Sequence, residues 1–295
     1  MTLQVPQYRI EHLGTASRAK PRRRQSRHAA EAWRGDATHE EDSVDLQLGG
    51  KKALVTGGTK GIGGAVVDLL AAEGARVAFC ARDADEVKAK EEASGAVGRV
   101  LDVADAEALA SWVREEGESG GIDIVVTNVS AMAHGSDEKN WRAAFDVDLM
   151  HTVRTVDAAT PYLLASAQAS EGGASVVAVS STAGREIHFP DGAYGVMKAA
   201  VQHYVGGVAR HLAAQGVRAN VVSPGTIYAP GGIWAGIEEH DPALFTAGLG
   251  MNPRGRMGRP EEVAYVVAML ASPLGSWISG TNLLTDGAAS RGVQF

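Results

Sequence analysis

Residues 53–64 read Ala53-Leu54-Val55-Thr56-Gly57-Gly58-Thr59-Lys60-Gly61-Ile62-Gly63-Gly64. A short apolar run comes first, glycines follow it, and an Ala-, Val- and Leu-rich stretch of helical character begins after them. This order predicts a strand, a tight turn and a helix. Glycines also make purely structural turns. In a strand-turn-helix context, however, bare backbone and outward helix amides favour a site for the pyrophosphate of a dinucleotide.

The same alternation of apolar runs and Ala-rich stretches continues to the end of the chain. It predicts strands at 53–56, 76–80, 97–101, 124–127, 175–180, 218–222 and 282–285, and helices near 61–73, 83–93, 105–117, 138–168, 192–214 and 260–271. Strands that alternate with helices build a parallel sheet covered on both faces. We therefore expect an α/β fold with a Rossmann-type, doubly wound, seven-stranded sheet.

Composition limits the class of protein. With 295 residues, of which 45% are hydrophobic, the chain is long enough for one sizeable core, and we expect a single catalytic domain over residues 47–295. Lysine and arginine number 28 against 35 acidic residues, so the net charge of −7 gives no general reason to expect nucleic acid or membrane as partner. A small-molecule substrate is favoured.

The single cysteine, Cys80, ends an apolar run and cannot form an internal disulfide. It is expected to be a small core side chain, which fits a reducing, cytoplasmic setting. The sequence has no apolar stretch of ~18 residues and no secretory signal pattern, so a soluble protein is expected.

Residues 1–46 differ in character from the rest. A basic run, Arg18-Ala19-Lys20-Pro21-Arg22-Arg23-Arg24, is followed by Glu40-Glu41-Asp42 without a sustained helical or strand period. We predict a flexible, disordered extension. A solvated tail is favoured over a nucleic-acid-binding or organelle-import element.

The end of the second predicted strand bears on the choice of cofactor. An NAD-specific site usually has a carboxylate there for the ribose hydroxyls, whereas this chain has Ala81 followed by Arg82. Arg82 and Lys60 could hold a 2′-phosphate, so NADP is favoured over NAD, which stays possible; both could also be ordinary surface cations. Asp102, after the third strand, could accept from the adenine amino group or simply cap a helix.

Tyr194 and Lys198 lie four residues apart near the start of a predicted helix, so both side chains can reach one pocket. A phenol is a poor base near neutrality, and an adjacent ammonium favours its phenolate form. Ser181 follows a predicted strand, at the sheet edge where open α/β proteins bind ligands. These three residues form a candidate site for proton transfer.

The ordered set Thr56-Gly57-x-x-x-Gly61-Ile62-Gly63, Ser181, Tyr194-x-x-x-Lys198 and Ser223-Pro224-Gly225 resembles the short-chain dehydrogenase/reductase family, and is similar to its 3-oxoacyl-thioester-reductase-like members. The resemblance spans roughly residues 49–291. It implies an NAD(P)-dependent oxidoreductase in which Ser181 binds the substrate oxygen, Tyr194 transfers the proton and Lys198 holds the nicotinamide ribose. It also implies a homotetramer or homodimer formed through helices 138–168 and 192–214. The cofactor contacts that it implies are Gly57, Thr59, Lys60, Gly61, Ile62, Gly63, Arg82, Asp102, Val103, Asn128, Tyr194, Lys198, Pro224, Gly225, Thr226 and Ile227.

Three departures from the family pattern stand out. The chain reads Thr127-Asn128-Val129-Ser130 where the family usually has Asn-Asn-Ala-Gly, and Ala229 replaces a common threonine, so Thr226 is a candidate for the nicotinamide amide. Asp148 stands where the family usually has its fourth catalytic residue, an asparagine. Its backbone can still serve a proton relay, and its carboxylate would add negative charge near Lys198.

The leading hypothesis is NADP-dependent carbonyl reduction, and the alternative is a cofactor-sensing protein of this fold with weak or no turnover. His134, His151 and His188 show no ligand spacing, so no metal site is expected and surface or pocket-lining histidines are the default. Trp234 and Phe245 lie in a long segment that could close over substrate or pack onto the core.

Overall fold

The computed structural model describes residues 44–133, 135–170, 172–187 and 192–292 of the chain. Asp45–Phe295 form one compact unit. Residues 1–43 of the predicted extension lie outside the described residues, and so do His134 and His188. The extension and the domain boundary at position 46 therefore stay predictions.

Seven parallel strands form one sheet in the order β3-β2-β1-β4-β5-β6-β7. They are β1 Lys52–Thr56, β2 Arg76–Ala81, β3 Val97–Val100, β4 Ile124–Thr127, β5 Ala174–Val179, β6 Val217–Pro224 and β7 Asn282–Thr285. Neighbouring β1 and β4 are separated by two strands in sequence, so the strand order reverses between them. In such sheets the crevice at the carboxyl ends beside this switch point binds the ligand.

Nine helices were identified among the described residues: α1 Gly61–Ala72, α2 Ala84–Ser94, α3 Ala106–Glu118, α4 Glu138–Ala143, α5 His151–Ala169, α6 Gly192–Leu212, α7 Ile233–His240, α8 Pro242–Gly250 and α9 Pro260–Ala271. Apolar side chains of α3, α5 and α6 pack in one core cluster, and those of α1, α2 and α9 pack in another. The sheet is thus covered on both faces, and the doubly wound prediction is confirmed. No helix of the described part is long and apolar enough to cross a membrane.

The predicted helix 138–168 contains an irregularity. A π-helical stretch, Ala144–Met150, joins α4 to α5 and carries Asp148. Such wider turns are frequent at functional sites. The predicted helix 192–214 ends at Leu212 in a short 3₁₀ turn, Ala213–Gln215.

Two helices that the sequence did not predict, α7 and α8, occupy the segment after β6. The α8 helix has Asp241 as its N-cap and Pro242 in its first turn, both common helix-start signals. The ring of Trp234 lies directly against Gly248, where a Cβ would collide with it. Trp234 therefore packs the two helices against each other.

Cys80 lies on β2 and is fully buried, which confirms its prediction as a core residue. Burial raises the pKa of its thiol to about 12. The thiol therefore stays protonated at neutral pH and acts as packing.

Candidate active site

Ser181 lies two residues after the end of β5, at the carboxyl edge of the sheet. Its Oγ accepts from the Ala183 N–H at 3.1 Å and caps a 3₁₀ turn, Thr182–Gly184. That turn lies flat against α6, because a Cβ on Gly184 would come within 2.9 Å of the Ala199 nitrogen. Glycine at position 184 thus sets the distance between the serine turn and the helix.

Helix α6 places Tyr194 and Lys198 one turn apart, as the spacing predicts. The Lys198 Nζ lies 5.7 Å from the centroid of the Tyr194 ring. Tyr194 is half-buried, whereas Lys198 is buried. The ammonium and the phenol ring therefore lie in one site.

Lys198 is held by two oxygen atoms. Its Nζ donates to the Val179 carbonyl at 3.3 Å and lies 3.2 Å from Asp148 Oδ1. The second carboxylate oxygen of Asp148 accepts from the Ala131 N–H at 3.2 Å. Because both charged side chains are almost fully buried, each charge depends on the other for compensation. The carboxylate predicted near the lysine is therefore in contact with it.

Gln202 continues the same helix face one turn beyond Lys198. Its Nε2 donates to Ser180 Oγ at 3.1 Å, to the Ser181 carbonyl at 3.2 Å and to Ser223 Oγ at 3.4 Å. It thus joins the ends of β5 and β6 to α6. Sequence analysis did not identify it, although four-residue steps from Tyr194 through Lys198 lead to this position.

His151 is neither on the surface nor in an open pocket, contrary to its default interpretation. It is 1% exposed and lies beside the glycine turn. Its Nδ1 lies against the Val147 carbonyl, which can only accept, so Nδ1 carries the proton and Nε2 accepts from Thr56 Oγ1 at 3.3 Å. The pKa of His151 is lowered to about 4, chiefly by burial and to a smaller degree by the nearby Lys198 ammonium. The ring is therefore neutral at pH 7.

The amides at the start of α1 are well suited to a phosphate. Aspartates cap α2, α3, α4 and α8, whereas α1 begins at Gly61 with no side-chain cap and no acidic residue in its first turn. Gly57 and Gly61 have φ of +71° and +56°, and an ideal Cβ on Gly61 would meet nothing within 4 Å. The turn, including Thr59, Lys60, Ile62 and Gly63, therefore fits a dinucleotide pyrophosphate.

Asn128 shapes this turn. Its Nδ2 donates to the carbonyl oxygens of Thr56 and Gly57, at 3.3 Å each, and its backbone N–H donates to Thr56 Oγ1 at 3.0 Å. A Cβ on Gly63 would collide with the Gly57 carbonyl oxygen. The polar contacts shown for the Asn128 side chain are with the turn itself, so it joins the ends of β1 and β4.

On the side of β5 that faces away from the glycine turn, β6 ends at Pro224, and Gly225 follows. The hydroxyl of Thr226 accepts from Asn252 Nδ2 at 2.7 Å, and Ile227 forms a parallel bridge to the segment before α9. Thr226 therefore already has a side-chain partner. Asn252 lies just after α8, and no sequence signal identified it.

The adenosine-side candidates lie at the ends of β2 and β3. Arg82 is exposed, Asp102 Oδ1 accepts from the Ala104 N–H at 3.0 Å, and Val103 is buried. Three strand spacings of ~4.8 Å separate β2 from β5, so these residues lie roughly 14 Å along the sheet edge from the serine turn. The structure thus gathers Asp148, Tyr194 and Lys198 at one end of an elongated crevice and Arg82 and Asp102 at the other.

The segment after β6 flanks the crevice. The Phe245 ring, on α8, meets Tyr228, which precedes α7, edge-on with centroids 6.2 Å apart. Tyr228 Oη donates to Glu238 Oε2, on α7, at 2.6 Å. Among the described residues, no group of three or more His, Cys, Asp or Glu side chains is arranged to hold a metal ion. The side chains of the site themselves supply a hydroxyl, a phenol, an ammonium and a carboxylate group.

Comparisons with known proteins agree with this geometry. Residues 57–290 match the family model described as enoyl-(acyl carrier protein) reductase. The chain is 38% identical over 258 residues to isoepoxydon dehydrogenase of Penicillium expansum, an alignment that covers 84% of this chain and 98% of that protein. It is 34% identical to cis-4-hydroxycyclohexanecarboxylate dehydrogenase of Sinomonas cyclohexanicum, covering 80% of this chain and 94% of that protein.

A solved structure shows the same architecture. A short-chain dehydrogenase/reductase of Serratia marcescens, in a double-mutant form, superposes with a TM-score of 0.74 at 29% identity, and the match covers 83% of this chain and 99% of that one. The motifs, the strand order and the relatives all lead to the same assignment. The chain belongs to the short-chain dehydrogenase/reductase family of nicotinamide-dependent oxidoreductases.

Proposed function

We propose that the protein is an NADP-dependent reductase that converts a ketone to a secondary alcohol, with Tyr194 as proton donor. The observation that carries this proposal is the cluster of Tyr194, Lys198 and Asp148 beside the serine turn. An intact set of this kind favours turnover over cofactor sensing alone. The same groups run the reaction backwards as alcohol oxidation.

The residues divide the chemistry among them. Bound nicotinamide supplies the hydride for the carbonyl carbon, and the protein must supply the proton for the oxygen. Ser181 donates a hydrogen bond to that oxygen, and the Tyr194 hydroxyl protonates it. Lys198 stabilises the phenolate that remains and also binds the nicotinamide ribose. Asp148 holds the ammonium in place and offsets part of its charge.

We propose NADP as the preferred cofactor. Ala81 has no carboxylate for the ribose hydroxyls, and the exposed Arg82 guanidinium next to it suits a 2′-phosphate. Lys60, whose side chain is 65% exposed, is the second candidate cation. The glycine turn and the uncapped start of α1 would hold the pyrophosphate.

The relatives suggest a substrate class. The name cis-4-hydroxycyclohexanecarboxylate dehydrogenase states that this relative acts on a ring that bears a secondary alcohol. We propose a cyclic ketone and its alcohol as substrate and product here. The lid of α7 and α8, packed through Trp234, would close over the ring.

We also propose a homodimer or homotetramer that associates through α5 and α6. Phe145, in the π-helical stretch that leads into α5, and Val196, on α6, are 44% and 49% exposed. Apolar side chains at this level of exposure on neighbouring helices favour burial against a second copy.

A pair of tyrosine variants tests the reaction. Tyr194→Phe removes the transferable proton and keeps the ring, so kcat should fall by about 10²–10⁴-fold while the Kd of NADPH changes little. Tyr204→Phe is the matched control, since Tyr204 lies on the same helix and its hydroxyl contacts only Asp157 among the described residues. Turnover is measured with NADPH and a panel of cyclic ketones, quinones and oxoacyl thioesters.

Two results would contradict this function. Near-normal turnover of Tyr194→Phe on a productive substrate would remove Tyr194 as the acid. Tight NADPH binding by the wild-type protein without oxidation of NADPH by any compound of the panel would favour the cofactor-sensing alternative.

A further inference from the structure

A glutamate from α2 reaches back to the glycine turn. Glu86 Oε1 lies 2.7 Å from Lys60 Nζ, and Glu86 Oε2 accepts from Thr59 Oγ1 at 3.0 Å. The backbone of Glu86 is fixed as well, because its N–H donates to the Asp83 N-cap at 2.9 Å. One carboxylate thus engages two donors of the turn.

The position of this carboxylate bears on the phosphate site. Lys60 and Arg82 are the two cations assigned to a 2′-phosphate. The Arg82 side chain makes no hydrogen bond or ion pair with any residue that the structure describes, whereas Lys60 is paired with Glu86. An internal anion therefore occupies one of the two cations that an external anion would use.

We propose that Glu86 is a specificity-determining residue that weakens binding of the phosphorylated cofactor by competing with its 2′-phosphate for Lys60. The inference rests on the proposed NADP site. Binding of NADPH brings a phosphate of nearly two negative charges close to the carboxylate, so Lys60 must leave Glu86 or be shared between two anions. NADH carries no such phosphate and requires no exchange. Glu86 therefore reduces the preference for NADPH over NADH that Lys60 and Arg82 create.

The test compares two charge-neutralising variants in the same turn of α2. Glu86→Gln removes the charge while its amide oxygen can still accept from Thr59 and Lys60. Asp85→Asn removes the same charge from a neighbouring exposed position that contacts neither residue. The Kd values of NADPH and NADH are measured by calorimetry, without substrate, at low and at high salt.

Glu86→Gln should bind NADPH roughly tenfold more tightly at low salt, with the gain reduced at high salt, and should bind NADH within about twofold of wild type. Asp85→Asn should change both Kd values by less than about twofold. The proposal is overturned if NADPH binding is unchanged or weaker in Glu86→Gln, if both cofactors gain equally, or if Asp85→Asn gives the same gain.

Arg82→Ala, measured in the same series, separates this inference from the proposed function. If Arg82→Ala weakens NADPH more than NADH while Glu86→Gln has no effect, the phosphate site stands and the role of Glu86 is wrong. If Arg82→Ala weakens both cofactors equally, the phosphate site itself is wrong, and the role of Glu86 is wrong with it.

Discussion

At the scale of single residues, Asp148 distinguishes this site from the usual family pattern. An asparagine there would carry no charge, whereas the carboxylate lies 3.2 Å from the Lys198 ammonium in a buried environment. Electrostatic fields reach further in such surroundings than in water. The carboxylate should therefore weaken the influence of Lys198 on Tyr194.

Asp148→Asn should shift the pH profile of alcohol oxidation to lower pH. Removal of the negative charge beside Lys198 leaves the ammonium without its counter-charge, so its field should favour phenolate at Tyr194 more strongly. The measurement is kcat against pH with cofactor saturating and chemistry rate-limiting. Asp146→Asn, in the same π-helical stretch but half-exposed and 3.9 Å from Arg154, is the control and should leave the profile in place. An unchanged or raised midpoint in Asp148→Asn would contradict the coupling.

At the scale of elements, the approach of the serine turn to α6 depends on glycine. A Cβ on Gly195 would lie 2.8 Å from the Ala183 carbonyl oxygen, closer than side-chain carbons come to oxygens in real structures. Gly207, on the same helix, is exposed and has open space around it. The two glycines thus lie in the same helix, but only Gly195 is in close contact with the serine turn.

Gly195→Ala should lower kcat by about tenfold or more, because the turn that carries Ser181 must move and a small misplacement at a catalytic group is costly. Gly207→Ala should leave kcat unchanged and raise the free energy of unfolding by about 0.5–1 kcal/mol, since alanine favours a helix interior. Kinetics and urea unfolding of both variants check this. Equal kcat values for the two variants would show that the close approach does not position the serine.

At the scale of the whole molecule, His151 should make stability depend on pH. Its pKa is about 4 in the folded protein and ~6.5 in an unfolded chain, so the unfolded state binds more protons between these values. Stability should thus be intact above pH 6.5 and fall as the pH drops towards 4. The loss from this residue between pH 7 and pH 5 is roughly 2 kcal/mol.

Urea unfolding at both pH values, for wild type and His151→Asn, measures this loss. The variant should lose roughly 2 kcal/mol less than wild type on acidification. The exposed His203 on α6 gives the control, since His203→Asn should follow the wild-type curve. Parallel curves for all three proteins would mean that His151 takes up its proton equally in both states.

Local patterns predicted the sheet, the main helices and the pairing of Tyr194 with Lys198, because periodicity and four-residue spacing act within a single element. Contacts between elements were not predictable in this way. The reach of Glu86 to Lys60 and that of Gln202 to Ser223 span 26 and 21 residues and depend on how helices lie on the sheet. The helices α7 and α8 were missed because they are short and lie among glycines and prolines.

The π-helical stretch between α4 and α5 also has a consequence for chain length. A π turn holds one more residue than an α turn, so it shifts the angular phase of the following helix by about 100°. Before the stretch, Trp141 packs against α6. After it, Val156 and Leu163 belong to the core cluster that α5 shares with α3 and α6. One continuous helix thus presents two differently oriented apolar faces. Deletion of a single residue from 144–150 would bring these faces out of alignment, so this segment tolerates a change of residue better than a change in the number of residues.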